Sequence, residues 1–263
     1  MNDENYIDIP KSLRSRRIYR IIPVERLFDI FDNRQNVLVK PKLWQDPFEN
    51  FILRSRIRLR TGQIAQFGFH DQFYGQCWTL HTASDAMWRI YSQAGTTVRI
   101  RSTIRRVAES LSKALGDSSQ IQAYMGKVQY LSNKRLTSYA NSWFPGARAL
   151  TSRRSAQTLL IKRPAFKHER EVRLLYFQHS AHLTAGDLYW YSVDPHELID
   201  QIMIDPRISE TAANELKERI KKRTGYQGTV LRSLLYGLPP NLIVQSDETP
   251  NHSLQRTLAG ERR

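Results

Sequence analysis

The chain has 263 residues, with 40 Lys and Arg against 25 Asp and Glu, a formal charge of +15 and a pI near 10.1. Hydrophobic residues at 40 % and aromatics at 10 % exclude a disordered polypeptide, and a single cysteine, Cys77, excludes an internal disulfide. No apolar run approaches the roughly 18 residues that a membrane helix requires, and the acidic N-terminus lacks a secretory pattern. A cytoplasmic protein with no membrane partner is therefore expected, and the cationic excess favours polyanions, nucleic acid first.

The first 17 residues read as a flexible polar arm, acidic to Asp8 and basic from Lys11 to Arg17. Ile18 to Ile22 is a strand candidate, and Pro23 opens a helix on which Val24, Leu27, Phe28 and Phe31 recur at helical spacing. Val37 to Val39 reads as a strand, and Trp44 to Glu49 as a turn fixed by Asp46-Pro47. Cys77 to Leu80 reads as a buried strand running into Ser84, an N-cap for a helix carrying Met87, Trp88 and Tyr91. Thr96 to Ile100 is β-branched. Ile104, Val107, Leu111 and Leu115 mark an amphipathic helix that Gly116 stops.

Val128 to Leu131 reads as a strand, residues 153–163 as a helix, and Glu171 to Phe177, Tyr189 to Val193 and Gln201 to Ile204 as strands. Residues 209–223 form a helix with a basic last turn, Val230 to Tyr236 closes the pattern, and 245–263 is expected to be a disordered tail. Short strands scattered among helices, with no repeat and no linker, predict one α+β domain over 18–244. Its sheet would be mixed or antiparallel and flanked by helices, not doubly wound.

Three segments carry candidate chemistry. In Lys167-His168-Glu169-Arg170-Glu171-Val172-Arg173, residues two apart on a strand share a face, which would place Glu169, Glu171 and Arg173 together at the mouth of a buried strand. Arg153, Arg154, Lys162, Arg163, Lys167 and Arg170 would surround them with positive charge. Arg54, Arg56, Arg58 and Arg60 alternate with Ser55, Ile57 and Leu59, so a strand there presents four guanidiniums on one face, suited to phosphates. Trp44, Phe48, Trp78, Trp88 and Tyr91 supply rings that fill a core or stack on a base. The sequence has no Gly-rich phosphate loop and no paired cysteines. The spacing of His168, His179 and His182 matches no metal signature, so no metal is expected.

In order, Ile18-Tyr19-Arg20, Leu43-Trp44-Gln45-Asp46-Pro47-Phe48-Glu49, Cys77-Trp78-Thr79, Met87-Trp88-Arg89-Ile90-Tyr91 and Lys162 with Phe166 to Arg173 resemble the bacterial domain of unknown function 2971 family. Gln45 stands where members usually have Asn, and the family's Gly-rich stretch is reduced here to Gly95. The order of the pieces also resembles that of ADP-ribosyltransferases, with Arg20, Thr79 and Glu169-x-Glu171 at the matching positions.

That resemblance implies NAD as cofactor and an effector, toxin or phage-defence enzyme, with nucleic acid as target. Glu171 would hold the ribose and stabilise an oxocarbenium-like charge, and Glu169 would orient or deprotonate the acceptor. Arg20 would grip the pyrophosphate, Thr79 would support Glu171, and Tyr91 or Trp88 would stack on nicotinamide. Tyr19 and Arg173 complete the cofactor set. Asp46, Pro47, Phe48 and Glu49 form a structural motif. One rival is a non-catalytic nucleic-acid-binding protein using the Arg face and basic arm. Another is a metal-dependent nuclease with Asp46 and Glu171 as ligands and Arg173 near the scissile phosphate, weakened by the lack of the lysine such sites usually need.

Overall fold

The computed structural model describes residues 1–44, 46–58, 61–66, 71–82, 84–92, 96–142, 151–179 and 186–237. Residues 1–17 are not a flexible arm. Strand β1 (Tyr6–Ile7) adds to the sheet, Tyr6, Ile7 and Ile9 are buried, and Asn5 is fully enclosed. The Asn5 amide donates to the carbonyls of Ala123 (2.7 Å) and Gln120 (2.9 Å), so apolar side chains and one polar clamp hold the segment that reads as polar overall.

Strand β2 (Arg17–Pro23) leads directly into α1 (Val24–Asn33), whose Val24, Leu27, Phe28, Ile30 and Phe31 are buried. Strand β3 (Gln35–Val39) follows. Trp44 to Glu49 runs from the cap of one 3-10 turn, Pro41–Leu43, into a second, Pro47–Asn50, with Gln45 outside the described residues.

The Arg54–Arg60 stretch does not form one strand. Arg54 ends α2 (Phe51–Arg54), while Arg56 and Arg58 lie on β4 (Arg56–Arg58), paired with β5 (Ile64–Gln66) in a small separate ribbon. The helical turn breaks the alternation, so a four-arginine face is not formed, and Arg60 lies outside the described residues.

Strand β6 (Phe73–Thr79) starts four residues earlier than the apolar run at Cys77 suggests. Helix α3 (Asp85–Tyr91) begins where Ser84 accepts from the Met87 amide, and β7 (Thr97–Thr103) runs into α4 (Ile104–Leu115), stopped by Gly116 at a φ of 58°. Next come α5 (Ser119–Gln122), β8 (Ala123–Lys127), the two-residue β9 (Gln129–Tyr130) and α6 (Asn133–Ser142). The strand expected at Val128 to Leu131 is thus the two-residue β9, and the longer β8 just before it was not expected.

The helix expected over 153–163 is only α7 (Ser152–Thr158). Its chain then turns into β10 (Ile161–Lys162), because Leu159, Leu160 and Ile161 are all buried and cannot lie on one helical stripe. Strand β11 (Glu171–Phe177) has the expected limits. It is followed by β12 (Leu188–Ser192), α8 (Pro195–Leu198), β13 (Gln201–Ile204), α9 (Glu210–Thr224) and β14 (Thr229–Arg232). The tail expected to be disordered, 245–263, lies outside the described residues.

The fold is α+β, with one large mixed sheet flanked by helices. Its main path runs β1-β8-β11-β6-β2-β7-β13-β14, with β3 joined to β6 and β12 to β3. Within this sheet only β1–β8 and β13–β14 are parallel. Strand β11 is buried on both faces. Val172, Leu174 and Tyr176 enter the larger core under α1 and α4, and Leu175 and Phe177 enter a smaller one under α2 and α7. That is why its pattern reads as a continuous apolar run.

Beside β6 the sheet splits. β6 meets β2 only at Tyr19↔Thr79 and β3 only at Val39↔Gly75, so Gln76, Cys77 and Trp78 have no ladder partner on that side among the described residues. Glu171, Thr79 and Tyr19 form one cross-strand row at the edge of this split. At about 4.8 Å per strand, Tyr19 and Glu171 stand about 10 Å apart along the backbone.

Docking of the N-terminal segment is testable through Asn5. Asn5→Ala leaves buried carbonyls unpaired and is expected to cost about 1–3 kcal/mol in denaturant unfolding. A change below a few tenths of a kcal/mol would mean that the segment contributes nothing to the fold.

Candidate active site

The split opens a cleft of about 270 Å³ lined by Tyr19, Arg20, Thr79, Tyr91, Glu169 and Glu171, with Trp44, Cys77, Lys162 and Phe166 among the other walls. Six positions singled out from separate parts of the sequence therefore meet. Trp88 does not join them. It is 1 % exposed in the interior, because α3 turns it inward and leaves Tyr91 facing the cleft. Arg173 is fully buried behind Glu171 and does not line the cleft.

The carboxylates are brought together by a route that strand alternation does not describe. Glu169 ends a 3-10 helix (Pro164–Glu169), and Arg170 then takes a left-handed conformation at φ 43°, so only Glu171 and Arg173 share the strand face. The kink still aims Glu169 at the cleft. There the Lys162 ammonium lies 2.6 Å from Glu169 Oε2, 2.8 Å from Glu49 Oε1 and 3.5 Å from Glu171 Oε2. Arg173 donates from Nε to Glu171 Oε1 at 3.0 Å and from Nη2 to Glu171 Oε2 and Glu49 Oε2, both at 2.9 Å. Its Nη1 donates to the Leu159 carbonyl at 2.6 Å. Three carboxylates thus face two cations in the protein interior, one negative charge in surplus.

The pair of glutamates is driven apart in acidity. Burial is the largest influence on Glu169 and raises its pKa, more than the Lys162 hydrogen bond lowers it. Burial also acts on Glu171, but the charge and hydrogen bonds of Arg173, with Lys162 behind them, outweigh it and hold that carboxyl below the usual range. Tyr91 donates its hydroxyl to Glu169 Oε1 at 3.2 Å, and burial pushes the phenol far above its ordinary range, so it stays a donor. Thr79 supports Glu169 and not Glu171, donating to the Glu169 carbonyl at 2.5 Å. Burial pushes the Cys77 thiol well above its normal value, consistent with a packing role.

Arg20 has no ion-pair partner among the described residues, and burial, its largest influence, lowers its pKa, although a guanidinium stays charged. It is a cation presented to the cleft without an internal counter-ion. Trp44 lies with the Arg173 guanidinium 4.3 Å from its ring centre, and its Cζ2 would be 2.6 Å from a Cβ at Gly75. The glycine is what lets this ring close the cleft.

Two residues now central were assigned otherwise from sequence. Lys162 reads as one of several surrounding cations and Glu49 as part of a turn, but both are in the buried network. Asp46 pairs with Arg163 at 2.9 Å, while Pro47 and Phe48 lie in the 3-10 turn that carries Glu49. The lysine that a nuclease reading lacked is Lys162, but its ammonium occupies the point where Glu49, Glu169 and Glu171 converge. Among the described residues no group of three His, Cys, Asp or Glu is arranged to hold a metal. His168 and His179 lie in separate segments, and His182 is outside the described residues.

Residues 87–174 match the family model described as "Protein of unknown function (DUF2971)", which establishes the resemblance over that span. No curated protein matches the chain. Three solved structures of a DarT from Thermus sp. 2.9 align with it. The complex with NAD+ has a TM-score of 0.39 and 12 % identity, covering 86 % of this chain and 97 % of that one. The complex with carba-NAD+ gives 0.37 and 13 %, covering 85 % and 97 %. The complex with ADP-ribosylated ssDNA gives 0.38 and 11 %, covering 86 % and 96 %. At these TM-scores the functional reading rests on the side chains of the cleft. Among the described residues no helix is long and apolar enough to cross a membrane.

Lys162 is the test of the network. Lys162→Met leaves three converging carboxyls with Arg173 alone and is expected to lower stability by about 3–5 kcal/mol near neutral pH. Raised folded pKa values mean that the folded variant binds more protons than the unfolded chain above about pH 4.3. The deficit relative to wild type should therefore shrink as pH falls from 7 towards 5. Melting curves at several pH values read this directly, and a deficit independent of pH would refute the charge account.

Proposed function

We propose that the cleft binds NAD and that this chain transfers ADP-ribose from it. The observation that carries the proposal is the pair Glu169 and Glu171. One carboxylate is kept ionised by a buried guanidinium, the other is shifted towards its protonated form, and both face one cavity. Two carboxyls with acidities pushed apart suit the breaking of a bond at an anomeric carbon, where positive charge develops on the ribose. The ionised Glu171 carboxylate lowers the energy of that cation without reorganisation, because Arg173 fixes it through two hydrogen bonds.

The remaining groups fit the same substrate. Arg20, unpaired in the cleft, offers a guanidinium to a pyrophosphate. Trp44, Phe166 and Tyr19 supply aromatic walls, and a volume near 270 Å³ suits the nicotinamide nucleoside half of the dinucleotide. Glu169, with Tyr91 donating to it, stands where it can receive a proton from an acceptor. NAD would supply the activated ribosyl group. Arg173, outside the cleft, positions the carboxylates, and Lys162 does so from the cleft wall. Retaining five buried ionisable groups where apolar packing is often at least as stable supports a functional role for them.

Isothermal titration with NAD and chromatographic detection of nicotinamide test this directly. Glu171→Gln is expected to lower turnover by a factor of about 100 to 1000 while NAD affinity stays near wild type. Arg20→Gln should weaken NAD binding instead. Tyr91→Phe, at a half-exposed position, should lower turnover less and keep the fold, which melting temperatures would confirm. A wild-type protein that neither binds NAD nor releases nicotinamide with any of a broad panel of acceptors would overturn the proposal.

A further inference from the structure

Glu171 lines two cavities. On the side of the β6 and β11 ends away from the cleft lies a second, larger hollow of about 780 Å³. Thr79 faces the first, while Leu80 and His81 face the second; Glu169 faces the first and Arg170 the second. The left-handed turn at Arg170 is what sends its side chain to the far side.

The second hollow is cationic. Lys127 at the end of β8, and Lys167 and Arg170 in and just after the last turn of the 3-10 helix, converge on it from two places in the chain. All three are exposed, and none has an ion-pair partner among the described residues. The opposing carboxylate, Asp8, accepts from the Gln129 amide at 2.6 Å. Glu171 is neutralised by Arg173 on the other side. Three uncommitted cations against one aspartate leave the hollow strongly attractive to an anion.

It also holds aromatic planes. Tyr130 is half-buried and its hydroxyl accepts from the Glu171 amide at 2.9 Å, which fixes the ring at the hollow's wall, and His81 and His168 lie beside it. Spaced cations around a fixed ring are the elements with which proteins take hold of a nucleotide strand, phosphates on the cations and a base on the ring. An acidic polypeptide would use the cations but leave the ring without a partner.

We propose that this second hollow is a nucleic-acid site, and that it holds the acceptor strand next to the NAD cleft, with which it shares the wall at Glu171. The acceptor role rests on the function proposed above; binding of the strand does not. The site differs from the Arg54–Arg58 region, where the helical turn divides the arginines.

The test is the salt dependence of binding of a fluorescein-labelled oligonucleotide, read by anisotropy without NAD between about 50 and 200 mM salt. Each phosphate contact contributes about 0.7–0.9 to the slope of log affinity against log salt. Combining Lys127→Gln, Lys167→Gln and Arg170→Asn, the Asn tolerating the left-handed backbone, should lower the slope by about 2 to 3. Should the triple variant misfold, the single variants at exposed Lys127 and Lys167 should each lower it by about 0.7–0.9. An unchanged slope would overturn the proposal. So would a loss that appears only on replacing Arg54, Arg56 and Arg58 with Gln, or competition by polyglutamate as effective as by unlabelled oligonucleotide. Absence of nicotinamide release with the slope change intact would remove the enzymatic reading and leave the nucleic-acid site standing.

Discussion

A guanidinium buried to the exclusion of water must find its counter-charge inside the protein, and Arg173 is fully buried on the central strand of the sheet. It donates two hydrogen bonds to its strand neighbour Glu171 and one to Glu49, 124 residues away in the chain. Those bonds fix where the Pro47–Asn50 turn can lie, and with it Trp44 over Gly75. Glu49 and Glu171 in turn demand Lys162, which holds β10 and the 3-10 helix leading to Glu169. Removing a single member leaves an unpaired charge in the interior, so the group stands or falls as a unit.

The same network explains why the cleft is chemically asymmetric. Arg173 engages both oxygens of Glu171 but none of Glu169, which among the described residues meets Lys162 and the neutral Tyr91 hydroxyl. Equal burial then has opposite results, one carboxyl held ionised and its neighbour pushed towards protonation. The split between β2 and β3 supplies the space in front of them. A sheet continuously paired along β6 would have filled that space with a strand.

Both cavities follow from one local feature, the end of β11. The 3-10 turn that precedes β11 and the left-handed residue Arg170 place consecutive residues against opposite hollows, with Glu171 lining both. The β6–β11 ladder, paired along its whole length, fixes the wall that the two hollows share.

Much of the fold was legible in the sequence where periodicity, caps and apolar runs act locally. Examples are α1 from Val24, α3 capped by Ser84, α4 stopped at Gly116 and β11 from Glu171 to Phe177. The gathering of Tyr19, Arg20, Thr79, Tyr91, Glu169 and Glu171 was also foreseeable, because their segments occur in a recognisable order. The sequence could not show that Arg173 faces inward, that Trp88 packs in the core, or that Glu49 and Lys162 complete the charge network. Nor could it show that Tyr6, Ile7 and Asn5 dock an N-terminal segment whose overall composition is polar. These facts depend on which partners lie across space, and a charged side chain reads the same in a sequence whether water or a buried counter-ion neutralises it. The amino-acid order determined the strands, helices and charge of this protein; only the tertiary structure decided which charges are desolvated, and desolvation is what separates a solvated ion pair from a site.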